Sequence, residues 1–292
     1  MARSEGDRWD VASSVGATAT LVATARALAT RHGDPLVQDP FAEALVRAVG
    51  IEAFTAAIDG ELDAEIPAVQ SMVDMIAVRT RFFDDFFADA TGAGLRQAVI
   101  LASGLDARAY RLAWPPDTAV FEIDQPEVLD FKSGVLDGRT PRARRTAVAV
   151  DLRDDWPAAL RDAGFDPDAP TAWIAEGLLV YLPPDAQDRL FDHIDALSPT
   201  GSRLATEYHP DGGSGIAASA AAITGQLAGS GLDLDLGELF YGGERRPVTE
   251  CLEELGWQVT TTPRPDMFTH YGRSYPDLPA LQKSLFVTAV KR

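Results

Sequence analysis

A glycine and an acidic residue follow two short apolar runs in the middle of the chain. Gly104 comes just after the run Ala98–Ala102, and Asp124 ends the next such run. Their separation, about 20 residues, is that at which nucleotide-binding α/β folds place the carboxylate that holds a ribose. A ligand can approach glycine closely because glycine has no Cβ. The pattern predicts a strand, a turn, a helix and a second strand that together bind a nucleoside-containing cofactor.

Two further acids follow apolar runs in the same way. Asp151 and Leu152 come after Thr146–Val150, and Glu176 follows Ala172–Ala175. Ligands of doubly wound sheets bind at the carboxyl ends of the strands. The Asp151 carboxylate could therefore accept a hydrogen bond from an adenine amino group, while the Leu152 amide donates to a ring nitrogen. Glu176 could pair with an ammonium group or with an arginine.

Arg79 is a candidate from the helical first part of the chain. It lies between Ile76 and Phe83 on the apolar stripe of a helix predicted over Ala68–Ala90. An inward-pointing charge needs an anionic partner, because an unpaired buried charge is costly. That partner is either a protein carboxylate, such as Glu176, or the carboxylate of a ligand.

The elements that must position these residues fall into two regions. Residues Asp10–Gly94 are almost wholly helical in pattern, and beyond Gln97 short apolar runs alternate with helical segments. Helices are predicted at Thr18–Ala29, Pro40–Val49, Ala53–Ile58, Ala68–Ala90, Gln125–Leu136 and Pro184–Leu197. Strands are predicted at Ala98–Ala102, Ala119–Ile123, Thr146–Val150, Ala172–Ala175, Arg203–Glu207, Gln258–Thr262 and Leu285–Val290. Strands separated by helices indicate a parallel sheet that is covered on both faces.

Two connections depart from this alternation. The last two strands are joined by Pro263–Lys283, which leaves no room for a helix in the usual place and suits an antiparallel final strand. The segment Glu207–Pro247 is rich in Gly, Ala and Ser, and it is either a lid or a surface excursion. We expect an α/β fold with a doubly wound, mostly parallel sheet of seven strands. It has an N-terminal helical cap (1–94), a core (95–292) and an inserted lid after the fifth strand (about 208–247).

Composition excludes several classes of function. The net charge of −18 argues against non-specific nucleic-acid binding, and an anionic substrate would need local cations. Cys251 is the only cysteine, so no disulfide can form within the chain. The four histidines lack partners at ligand spacing, and we expect no metal site. The first residues lack the apolar run of a signal peptide, and no stretch approaches ~18 apolar residues. We therefore expect a cytoplasmic protein without a membrane span.

The chain resembles S-adenosylmethionine-dependent methyltransferases of the leucine carboxyl methyltransferase type, and within them an actinobacterial branch of O-methyltransferases. The resemblance covers nearly the whole chain, and the motifs that carry it include VRTRFFDDFF, LASGLDARAYRL, VFEIDQPEVLDFK, VAVDLRDDW and AEGLLVYLP. It implies a class I, Rossmann-like methyltransferase fold with S-adenosylmethionine as cofactor.

The resemblance also implies cofactor contacts for particular residues: Arg79, Ser103, Gly104, Asp124, Asp151, Leu152 and Glu176. Arg79 would hold the methionine carboxylate, Gly104 would lie beside the methionine portion, and Glu176 would lie near its amino group. Asp124 would bind the ribose, and the pair after the third strand would hold the adenine. Where relatives outside the branch often have glycine, this chain has Ala102.

Methyl transfer from a sulfonium is an in-line displacement that requires an aligned nucleophile and exclusion of water. A carboxylate is ionised at neutral pH and needs no base, whereas a phenol, with a reference pKa of about 10, is helped by one. His209 is the candidate base, although it could equally be an ordinary loop residue. Candidate substrate contacts, chosen by position, are Tyr208, His270, Tyr271 and Arg273.

The leading interpretation is an O-methyltransferase that acts on a small molecule, with a carboxylate as acceptor and a place in secondary metabolism. One alternative is a nicotinamide-dependent oxidoreductase. The G-x-G-x-x-G fingerprint fails, however, because Ala102 and Ala107 replace its first and third glycines. Another is a non-catalytic protein that binds the cofactor on the same fold. The sequence leaves the oligomeric state open.

Overall fold

A central sheet organises the computed structural model, which describes residues 14–61, 67–218, 240–241, 244–276 and 278–292. Its strands are β1 (Gln97–Leu101), β2 (Ala119–Asp124), β3 (Arg144–Ala149), β4 (Thr171–Ala175), β5 (Arg203–Tyr208), β6 (Trp257–Pro263) and β7 (Leu285–Lys291). Their order is β3-β2-β1-β4-β5-β7-β6. Strand β7 runs antiparallel to β5 and β6, and the remaining neighbours are parallel. The predicted class is confirmed, an α/β fold with a mostly parallel sheet of seven strands.

Helices cover both faces of this sheet. Those that precede it are α1 (Ser14–Thr30), α2 (Ala42–Val49), α3 (Glu52–Asp59) and α4 (Pro67–Gly92). Those that follow β1 are α5 (Arg108–Arg111), α6 (Pro126–Val135), α7 (Trp156–Asp162), α8 (Pro184–Ala196), α9 (Val248–Glu254) and α10 (Arg264–His270). The centre of the predicted lid, 219–239, lies outside the described residues. Within those residues, no helix has the length and apolar composition needed to cross a membrane.

Two hydrophobic cores lie on opposite faces of the sheet. Successive residues of β1 alternate between them: Ala98 and Ile100 face one core, and Val99 and Leu101 face the other. This alternation follows from the period of two along a strand, and burial of both faces explains the continuous apolar runs. Helix α4 contributes Phe83, Phe87 and neighbouring side chains to the first core. Helix α4 therefore packs directly on the sheet, and α1 packs against α4.

The connection between β6 and β7 differs from the expectation. The sequence pattern left no room for a helix there, and that prediction is wrong, because α10 follows β6 at once. Pro265 stands in its first turn, where the fixed φ of proline suits a helix and the missing N–H is not needed. Met267 and Phe268 of this short helix are buried in the first core. The antiparallel last strand was predicted correctly.

Candidate functional site

A strained turn after β1 brings the first two candidate residues together. Ala102 and Gly104 both have a left-handed backbone, with φ of +50° and +47°. The Gly104 amide donates to Asp124 Oδ2 at 2.6 Å, and the Gln125 amide donates to Oδ1 at 2.8 Å. The structure thus joins the glycine and the acid that the spacing had paired. Strand β1 ends at Leu101, one residue earlier than predicted, because the left-handed backbone of Ala102 does not continue a strand.

Asp124 is partly buried, and its environment acts on its charge in two directions. Burial raises the pKa of this carboxyl, whereas the Gly104 and Gln125 amides favour the ionised form. A carboxylate oxygen accepts two hydrogen bonds, so each oxygen of Asp124 retains one acceptor position. Two vicinal hydroxyl groups match that capacity.

A buried ion pair next to Ser103 holds the same turn in place. The hydroxyl of Ser103 accepts a hydrogen bond from Lys132 Nζ at 3.1 Å. Lys132 and Glu122 are both fully buried and form an ion pair of 2.9 Å. On the outer side, a Cβ at Gly104 would lie 3.6 Å from Ala19, so helix α1 reaches the edge of the turn. The turn is therefore fixed between α6 and α1.

Asp151, at the end of β3, is linked to Asp124 through one glutamine. Gln125 donates its side-chain amide to Asp151 Oδ2 at 2.8 Å, while its backbone amide contacts Asp124. Arg153 also pairs with Asp151, at 2.7 Å. Burial opposes ionisation of Asp151, but the hydrogen bonds from Arg153 outweigh it and lower the pKa of the carboxyl. Leu152 is half-buried against the second core. Both acids thus lie on one edge of the sheet.

Arg79 has a protein partner and also free donors. Its Nε donates to Glu176 Oε1 at 2.9 Å. Its outer nitrogens, Nη1 and Nη2, make no hydrogen bond to any residue that the structure describes. A Cβ at Gly177 would lie 3.5 Å from Nη1, so the guanidinium packs against bare backbone. The side chain is 16% exposed. Arg79 therefore pairs with Glu176, one of the two predicted kinds of partner, and its two outer NH₂ groups are still able to bind an anion.

Glu176 is shared between two arginines, one of which the sequence analysis missed. Arg108 Nη1 donates to Glu176 Oε2 at 2.7 Å, and Arg108 Nε contacts Asp84 at 2.7 Å. Arg108 also pairs with Asp106. Burial disfavours the Asp106 carboxylate, but the charges of Arg108 and Arg26 prevail and lower its pKa to about 2. Asp106 and Arg108 stand in the motif LASGLDARAYRL, where charges inside a buried glycine turn could have identified them.

Glu207, near the end of β5, lies on the other side of Arg79. Its Oε1 accepts from Arg264 at 2.7 Å, its Oε2 accepts from the Gly177 amide at 3.2 Å, and Arg79 Nε is 3.8 Å away. Burial disfavours its charge, but Arg79 and Arg264 lower the pKa of this carboxyl to about 2. Charges of alternating sign thus form a row, here called the ionic row: Arg264, Glu207, Arg79, Glu176, Arg108, Asp84 and Arg111.

His209, the candidate base, is buried behind this row. Its Nδ1 lies 2.8 Å from Ser284 Oγ. Burial, reinforced by the charge of Arg264, lowers the pKa of His209 to about 4. The ring is therefore neutral at pH 7 and has little affinity for a proton, which counts against a role as general base. Tyr208 packs against the second core, and burial raises its pKa.

Two of the remaining substrate candidates, Tyr271 and Arg273, contact the helical cap. The Tyr271 hydroxyl donates to Asp85 at 3.0 Å, and Arg273 donates to the Asp34 carbonyl at 2.6 Å. Burial, together with the charge of Asp85, raises the pKa of Tyr271. His270 is exposed and lies against the Tyr271 ring, with 4.9 Å between centroids. The structure shows no contact between these three residues and the acids at the sheet edge. Among the described residues, no cluster of His, Cys, Asp and Glu could hold a metal ion.

Known proteins resemble both the sequence and the fold. The sequence model of the family "Leucine carboxyl methyltransferase" matches residues 19–195. A "Putative S-adenosyl-L-methionine-dependent methyltransferase" of Mycobacterium sp. (strain KMS) is 61% identical over 300 aligned positions, which cover 100% of both chains. A protein of the same name from Mycobacterium marinum (strain ATCC BAA-535 / M) is 59% identical, over 95% of this chain and 93% of that one.

A solved structure shares the architecture. A DUF574 family protein from Streptomyces avermitilis MA-4680 superposes with a TM-score of 0.55 and 18% identity, covering 92% of this chain and 97% of that one. At this identity, the likeness concerns the fold alone.

Proposed function

This chain belongs to the leucine carboxyl methyltransferase family, and we propose that it transfers the methyl group of S-adenosylmethionine to a carboxylate oxygen of a small molecule. It is an S-adenosylmethionine-dependent methyltransferase, so the proposal concerns the acceptor and the residues that serve it. The family assignment leaves the oxidoreductase alternative without support. We further propose that the acceptor is a secondary metabolite, which the functions of the neighbouring genes would test.

The donor set at the sheet edge fits the cofactor. The two outer NH₂ groups of Arg79 have no hydrogen-bond partner among the described residues, and they suit the carboxylate of the methionine end. Glu176 lies beside it for the ammonium group.

Asp124 offers acceptor positions for the two ribose hydroxyls. The Leu152 amide suits a ring nitrogen of the adenine. Asp151 already accepts four hydrogen bonds from Arg153 and Gln125, so it would bind the adenine amino group in place of one of the Arg153 contacts. When bound, the cofactor supplies an electrophilic methyl group on a positively charged sulfur. The residues of this chain hold and orient it.

His209 supports the choice of a carboxylate acceptor, because it is buried, its Nδ1 contacts Ser284 and its pKa is low. A phenol has a pKa of about 10, and His209 has a pKa of about 4. Transfer of a proton from the phenol to His209 would therefore be unfavourable by about six pK units. A carboxylic acid, with a reference pKa of about 4, is already ionised at pH 7. An acceptor of the second kind needs no base from the protein, and its oxygen attacks the methyl carbon directly once it is aligned.

The stability of the transferred label in alkali tests this proposal. The purified enzyme would be incubated with methyl-labelled S-adenosylmethionine and matched panels of carboxylic acids, phenols and alcohols. Methyl esters release volatile methanol in mild alkali, whereas methyl ethers do not. We expect transfer to acids and a label that alkali releases. Label that resists alkali would refute the carboxylate acceptor while leaving the methyltransferase assignment intact.

A further inference from the structure

Arg79 lies between two carboxylates, which offset its positive charge. Glu176 and Glu207 both contact it, at 2.9 and 3.8 Å. Taken alone, these three side chains carry a net negative charge, which would repel a carboxylate ligand. Each carboxylate therefore needs a second cation if Arg79 is to attract an anion.

The ionic row supplies both of these cations. Arg108 pairs with Glu176 from the side of α5, at 2.7 Å. Arg264 pairs with Glu207 from the start of α10, at 2.7 Å. These two cations offset the charges of the carboxylates on either side of Arg79, and Arg79 is the member whose outer nitrogens have no hydrogen-bond partner among the described residues.

Arg264 is the more specialised of the two outer cations. Its side chain is 4% exposed, its Nε has no partner within the described residues, and its guanidinium carbon lies 4.9 Å from the centre of the Phe286 ring. Among the described residues, Arg264 forms an ion pair with Glu207 alone. Arg108, by contrast, also contacts Asp84, Asp106 and the Thr80 carbonyl. Burying an arginine so deeply for a single ion pair is costly, which points to a role for the Arg264–Glu207 pair beyond stability.

We propose that Glu207 and Arg264 act as a positioning pair for Arg79. Glu207 accepts a hydrogen bond from the Gly177 amide and orients Arg79. Arg264 neutralises Glu207, so that Glu207 does not offset the positive charge of Arg79, which stays available to attract the carboxylate of the cofactor. Neither residue touches the cofactor, and both act through Arg79. The inference rests on the proposed function, in which Arg79 binds that carboxylate.

Two ligands that differ in the amino-acid portion test the pair. S-adenosylhomocysteine has the carboxylate, and 5′-methylthioadenosine has the same nucleoside without the amino acid. In Arg264→Met, the charge of Glu207 is left to Arg79 alone. We expect S-adenosylhomocysteine to bind about tenfold more weakly and 5′-methylthioadenosine to bind within about twofold of wild type. Equal weakening for both ligands, or unchanged binding of both, would overturn the proposal.

A second substitution separates charge compensation from a structural role. The double variant Arg264→Met/Glu207→Gln removes both charges of the pair and leaves a hydrogen-bonding side chain for Gly177. We expect affinity for S-adenosylhomocysteine to return to within about threefold of wild type. A purely structural role predicts no such recovery. Arg264→Lys keeps the charge and should bind within about threefold of wild type, and a loss as large as that of Arg264→Met would contradict compensation.

Controls keep the outcome interpretable. Arg189→Met removes an exposed arginine that pairs with Asp185 on α8, and it should change neither affinity. Thermal unfolding of each variant shows whether it is folded. If Arg264→Met does not fold, Arg264→Lys takes its place in the binding measurements. Arg79→Met should show the same selective loss for S-adenosylhomocysteine. If it weakens neither ligand, the role of Arg79 fails, whereas the alkali test of the methyl acceptor is unaffected.

Discussion

Replacing Asp124 by asparagine tests the centre of the candidate site. The two carboxylate oxygens accept from the Gly104 and Gln125 amides at 2.6 and 2.8 Å. Asparagine keeps one acceptor oxygen and turns an NH₂ group toward the other amide. The variant thus loses one hydrogen bond to a charged group, worth roughly 1.5–3 kcal/mol. The substitution also removes a charge whose burial is unfavourable, which offsets part of this loss. We therefore expect the free energy of unfolding to fall by about 1–2 kcal/mol.

Cofactor binding should lose more than stability does. The ionised carboxylate offers an acceptor for each of two ribose hydroxyls, and asparagine offers an acceptor for one of them. The loss of one charge-assisted hydrogen bond, about 2 kcal/mol, corresponds to about 30-fold weaker binding. Since burial raises the pKa of Asp124, binding to the wild type should also weaken as the pH falls toward that pKa. The asparagine variant should lack this pH dependence.

Isothermal titration calorimetry with S-adenosylhomocysteine measures both effects, and urea unfolding measures stability. The exposed Asp130 on α6 provides a matched control, because Asp130→Asn makes the same chemical change outside the site. A folded Asp124→Asn protein that binds within about threefold of wild type would show that this carboxylate does not hold the ribose. An equal loss of affinity in Asp130→Asn would show that the effect of the substitution is not specific to the site.

Three further predictions concern stability. Lys132→Met leaves the fully buried Glu122 with one cation fewer, and urea unfolding should show a loss of about 3 kcal/mol. Glu207 and Asp106 have folded pKa values of about 2, below their ordinary values, so the unfolded chain binds more protons. Unfolding free energy, measured at a series of pH values, should therefore fall between about pH 4.5 and 2, less steeply in Glu207→Gln. Ala102→Gly relieves a left-handed φ and should change thermal stability by less than about 1 kcal/mol, whereas Ala102→Val should cost about 2 kcal/mol.

The predictions that succeeded depend on short-range patterns. Short runs located all seven strands, and the signal is strongest in β1, β2 and β4, where burial of both faces leaves an unbroken hydrophobic stretch. The edge strands β3 and β6 are largely exposed or half-buried and carry more polar residues. The contact between Gly104 and Asp124 followed from the parallel pairing of β1 and β2, which places the ends of both strands at one edge. Such features need only local sequence and one rule of topology. The family resemblance added the expected roles of these residues.

The ionic row could not be predicted in the same way. Arg79 and Glu176 are 97 residues apart, and Arg264 and Glu207 are 57 apart. Periodicity showed that Arg79 points inward, but it left open which carboxylate receives it. For Arg264, a position after a strand and before a proline gave no sign of burial. The contact of Gln125 with Asp151 was missed for a simpler reason, since Gln125 is polar and ends no apolar run.

These ion pairs also bear on how the chain folds. The sequence pattern changes near residue 94, and we divided the chain there into a cap and a core. Yet the cap supplies Arg79 and Asp84 to the ionic row, and the core supplies Glu176 and Arg108. If the cap separated, Arg108, whose side chain is 2% exposed, would lose Asp84, and Glu176 would lose one of its two cations. Separation would also expose apolar side chains of α4, such as Phe83 and Phe87, that are now buried in the first core. We infer that cap and core unfold together, so the cofactor site exists only in the fully folded chain.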